Sequence, residues 1–119
     1  MAGPIHFEPT GYGRMVAEHG AVTVAQTKER LSGVPARAVR ALQAGDWDGF
    51  RRIYRRSRKL RLDLGRHAFN GADQTEVCLL VSYGSAVLGA IKLPEDSGVV
   101  ETTDRRPGAA LAALGLTLQ

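Results

Sequence analysis

Glu76-Val77-Cys78-Leu79-Leu80-Val81-Ser82-Tyr83-Gly84-Ser85-Ala86-Val87-Leu88-Gly89-Ala90-Ile91-Lys92-Leu93 is the stretch that decides the fold. Two apolar runs, 76–83 and 86–93, flank Gly84-Ser85. Glycine at the first of two loop positions suits a type II′ turn, whose twist matches that of the strands it joins. With Tyr83 opposite Ala86, Val81 would face Leu88, Leu79 would face Ala90, Leu80 would face Gly89 and Cys78 would face Ile91. Both faces are then apolar, whereas a hairpin with one wet face would alternate. The chain's own helices are expected on one face. More helix or a second subunit is expected on the other, with Leu80, Cys78, Val87 and Ile91 as interface residues of a homo-oligomer. A membrane span is not expected, because the uncharged run Val77–Ile91 has fifteen residues and a span needs roughly 18–20.

Upstream, Leu60, Leu62 and Leu64 alternate with Arg61 and Asp63, which is the period of a strand over about 60–64. Before it, Asp46 suits an N-cap and Asp48 a negatively charged first turn, opening a helix over about 46–59. On that helix Trp47, Phe50, Ile53, Tyr54, Ser57 and Leu60 share one arc. Arg51, Arg52, Arg55, Arg56, Arg58 and Lys59 share the opposite one. Pro35 and Gly45 bracket a further helix, 35–44.

A helix is also expected over 14–31, with Gly20 and Val22-Thr23-Val24 cutting against it. Residues 1–13, with Pro4, Pro9, Gly11 and Gly13, read as an irregular or short-strand lead-in. Val99–Thr103 is expected as the fourth strand, and Pro107 opens a short Ala/Leu helix that Gly115 ends. The whole is one α+β domain over 1–119, with helices packed on an antiparallel sheet of about four strands.

Charge points to a class of partner. The chain has 16 Lys and Arg against 12 Asp and Glu, a net charge of +4. Eight of those bases fall within 51–66 together with one acid, which leaves eight bases and eleven acids elsewhere. So local an excess repels itself and favours a polyanion or an acidic protein surface. Arginine forks match phosphate oxygens, and Tyr54 at the arc's edge could stack on a base. A small nucleic-acid-binding protein is therefore the leading expectation. RNA is preferred slightly over DNA, because no groove-reading motif is present. The rival is a structural subunit of a homo-oligomeric or viral particle, assembled through hairpin 76–93.

A third reading is a metal-independent ribonuclease. It rests on the loop 65–74, where His67 could move a proton and Arg66 could stabilise phosphoryl charge. The architecture is similar to that of small ribosome-acting ribonuclease toxins at the level of the fold alone, with no motif behind the likeness. A non-enzyme is the main expectation. The histidines (His6, His19, His67) and the single Cys78 have no metal-ligand spacing, so neither metal nor cofactor is expected. Met1–Glu8 lacks a charged and an apolar signal region. The expected location is cytoplasmic, non-secreted, or within a viral particle.

Overall fold

A computed structural model describes residues 5–10, 13–18, 21–26, 33–100 and 105–118, the segments 13–18 and 21–26 by their backbone alone. The fold is α+β. Strands β1 (Phe7–Pro9), β4 (Leu60–His67), β5 (Glu76–Tyr83) and β6 (Ala86–Lys92) form an antiparallel sheet in the order β1-β6-β5-β4. Helices α1 (Gly33–Gln43), α2 (Trp47–Arg56) and α3 (Gly108–Leu114) cover one face. Phe50, Leu42, Leu79, Leu88, Ile91 and Val81 are fully buried there. Each such side chain contributes on the order of 1.5–3 kcal/mol by leaving water.

Several elements differ from the sequence reading. A helix expected over 14–31 is replaced by strands β2 (Gly13–Glu18) and β3 (Ala21–Gln26), which pair with each other, Glu18 opposite Ala21 and Gly13 opposite Gln26. Val16, Val22, Thr23 and Val24 carry branched β-carbons that crowd a helix and suit a pleated strand. Residues 27–31 lie outside the described segments.

The fourth strand of the main sheet is β1, from the lead-in, and not 99–103. Phe7 sits over Gly89, where a β-carbon would run into its ring. That fit gives β1 the free edge of β6. Val99 and Val100 lie outside regular structure, and 101–103 lie outside the described residues.

The hairpin keeps its expected tip, Tyr83 opposite Ala86 and Ser82 opposite Val87, and Gly84 takes the positive φ of 61° that its turn position demands. A bulge then inserts Leu88, so Val81 pairs with Gly89, Leu80 with Ala90, Leu79 with Ile91 and Cys78 with Lys92. One extra residue turns every later side chain over. Leu88 keeps its place in the core, Ile91 joins it there, and Ala90 moves to the second face.

Helix α2 ends at Arg56, short of the expected 59. Ser57 is extended, and its hydroxyl accepts from the backbone N–H of Lys59 and of Leu60 at 3.2 and 3.3 Å. This local turn satisfies donors that a continuing helix would have used. Strand β4 in turn runs three residues past the expected 64, paired as far as His67 opposite Glu76.

Candidate nucleic-acid interface

Asp46 caps α2 by accepting from Gly49 N–H at 2.9 Å. Trp47 and Phe50 then point into the core, which sends Arg52, Arg55 and Arg56 on the following turns outward. Arg51 is half-buried and pairs with Asp48 at 2.7 Å. Arg52, Arg55 and Arg56 are exposed on the helix, and Arg58 and Lys59 are exposed in the turn that follows it. Among the described residues none of these five has a carboxylate partner. Arg52, Arg55 and Lys59 have backbone or aromatic neighbours. Arg52 Nε donates to the Asp48 carbonyl at 3.3 Å and Arg55 Nε to the Leu118 carbonyl at 3.2 Å. Lys59 Nζ stands 5.8 Å from the centre of the Tyr83 ring, and its carbonyl accepts from Gly84 N–H at 3.0 Å. The basic turn is thus fastened to the hairpin tip.

Tyr54 is half-buried, its ring 6.1 Å from that of Phe50, so it belongs to the margin of the core. The C-terminal segment follows the same helix. Trp47 Nε1 donates to the Thr117 carbonyl at 2.7 Å, and Arg51 Nη1 to the Thr117 hydroxyl at 3.3 Å.

The second face of the sheet has two halves. In one, the turn Phe69–Gly71 crosses from the end of β4 and lays Phe69 over Cys78 and Ala90. Glu8 accepts from Asn70 N–H at 2.9 Å and lies 3.2 Å from His67 Nε2. Those two contacts, Asn70 first, hold the Glu8 carboxyl below its ordinary range. In the other half, Asp63, Leu80, Ser82, Val87 and Arg105 surround an open cleft of about 470 Å³.

The four residues expected at an interface therefore divide. Ile91 is in the core, corrected by the bulge. Cys78 is fully buried beneath Phe69, where loss of solvation pushes its thiol up to about 12. Leu80 and Val87 remain half-buried at the open cleft.

His67 and Arg66, the two candidates for catalysis, are not brought together. Adjacent strand residues point to opposite faces. Arg66 is held by the hydroxyl and carbonyl of Thr75, both at 2.9 Å, while His67 joins Glu8. Sequence reasoning missed Glu8 as the partner of His67, and nothing local to residues 1–13 signals it.

Among the described residues no group of three His, Cys, Asp or Glu could hold a metal ion, and no helix is long and apolar enough to cross a membrane. Comparison with family models, curated proteins and solved structures finds no match. The class that fold and surface define is an α+β domain carrying a cationic ridge.

Proposed function

We propose that the chain binds nucleic acid, RNA in preference to DNA, through the ridge formed by Arg52, Arg55, Arg56, Arg58 and Lys59. The observation that carries this reading is the lack, among the described residues, of carboxylate partners for five exposed cations crowded along the eight residues 52–59 of helix and turn. Their mutual repulsion is relieved when phosphates approach, and released counterions drive the association. The preference for RNA follows from the short helix and the absence of a groove-reading motif.

Assembly through hairpin 76–93 is the weaker reading, since it keeps only Leu80 and Val87 of its four residues. Ribonuclease activity is weaker still, because Arg66 and His67 do not converge. The direct test titrates a fluorescent single-stranded RNA with the wild type and with a chain carrying Arg52→Gln, Arg55→Gln, Arg56→Gln and Arg58→Gln. Binding by the wild type and its loss in the variant are expected. Equal binding by both removes the ridge from consideration.

A further inference from the structure

We propose that the open half of the sheet's second face is a nucleotide-binding groove. It seats one unstacked base of a single strand whose phosphates continue onto the ridge. This rests on the nucleic-acid reading above and names the form of the ligand.

The groove arises from the register of the strands. The bulge at Leu88 leaves Val87 on the second face beside Ser82. Gly65 has no side chain, so Leu80 leans across it into the space a β-carbon would fill. Leu80, Val87 and Gly65 make a shallow apolar floor under a cleft of about 470 Å³. That size lies within the roughly 300–1,000 Å³ of small-molecule sites.

The polar groups stand at its margins. Asp63 and Ser82 line the cleft from β4 and β5, and Arg105 lines it from the chain running along the edge of β4. Arg105 is positioned there by its own carbonyl, which accepts from Leu64 N–H at 2.9 Å.

These groups match the parts of a nucleotide. An apolar floor accepts the flat of a base. A carboxylate accepts from an exocyclic amino group, which cytosine offers and uracil lacks. A guanidinium at the rim suits a phosphate.

Along β4 the margin of the cleft leads toward the ridge by alternate residues. Arg61 lies opposite Ser82 on the same face, two residues from Lys59 and two from Asp63. At about 3.3 Å per strand residue, those steps are roughly 7 Å each. Bases stacked in a duplex cannot enter such a site without being turned out, at a cost of a few kcal/mol. Single strands, whose bases are free to splay, are the form this surface fits.

The test compares fluorescent oligocytidine, oligouridine and a duplex at one salt concentration. Wild type is expected to bind oligocytidine about tenfold or more tightly than duplex. Ser82→Trp, which fills the cleft, should abolish that preference while leaving the salt dependence unchanged. Asp63→Asn should erase the preference for cytidine over uridine.

If circular dichroism shows Ser82→Trp unfolded, amide chemical shifts on adding oligocytidine to the wild type decide instead. Movement at Ser82, Val87 and Arg105 supports the groove, and movement confined to α2 overturns it. Binding that ridge substitutions abolish and groove substitutions leave untouched refutes the groove alone. No binding of any oligonucleotide refutes the ridge and the groove together.

Discussion

Glu8 Oε1 and His67 Nε2 lie 3.2 Å apart, tying the two edge strands of the sheet together across its second face. The carboxyl of Glu8 is held below its ordinary value of 4.5, first by the Asn70 N–H and then by His67. A depressed carboxyl contributes stability that is complete above its unfolded pKa and is lost as pH falls through the folded one. The melting temperature should therefore fall on acidification below about pH 4.5. Glu8→Gln should flatten that acid limb, as thermal melts at a series of pH values would read.

Gly89 admits the ring of Phe7, and a β-carbon there would also meet the Glu8 carbonyl. Gly89→Ala should dislodge β1 at a cost of about 1–3 kcal/mol. The Lys92 amide, which donates to the His6 carbonyl at 2.9 Å, should then exchange with solvent faster than in the wild type. Unchanged protection there would show that β1 holds by other contacts.

Cys78 is fully buried, and its thiol is pushed up to about 12. The thiolate is the reactive form, so an aromatic disulfide reagent should fail to modify the native chain near neutral pH. The same reagent should titrate one thiol once urea unfolds the protein.

Helix α2 has a cap at Asp46 and a fully buried anchor at Phe50. Asp46→Ala removes the acceptor for Gly49 N–H and should cost about 1 kcal/mol. Phe50→Ala empties a fully buried site and should cost about 3–5 kcal/mol. Urea unfolding of the two variants should rank them in that order.

What could be read from the sequence was what neighbouring residues decide among themselves. The tip at Gly84, the cap at Asp46 and the alternation of Leu60, Leu62 and Leu64 are local signals, and each led to the right element. The end of α2 was local too, but Ser57 was assigned to the apolar arc when its hydroxyl closes the turn. Over 14–31 the reading as a helix gave too little weight to Gly20 and the branched residues Val22, Thr23 and Val24.

The fourth strand and the bulge could not be read in this way. The place of β1 involves Phe7 meeting Gly89, a contact between residues far apart in the chain, and no local signal marks the bulge. The ridge was visible as a run of charge. The cleft was not, because it needs the true register of β4, β5 and β6 to place Asp63, Leu80, Ser82 and Val87 around one space.

The ridge is tested most directly by measuring the affinity for a single-stranded RNA across a salt series. Each phosphate neutralised on a single strand contributes about −0.7 to the slope of log K against log salt. Five exposed cations should give a slope of about −3 or steeper. Arg52→Gln, Arg55→Gln and Arg56→Gln should each make it shallower by about 0.7. An affinity indifferent to salt, or a slope that those substitutions leave unmoved, would contradict a role for the ridge in holding phosphate.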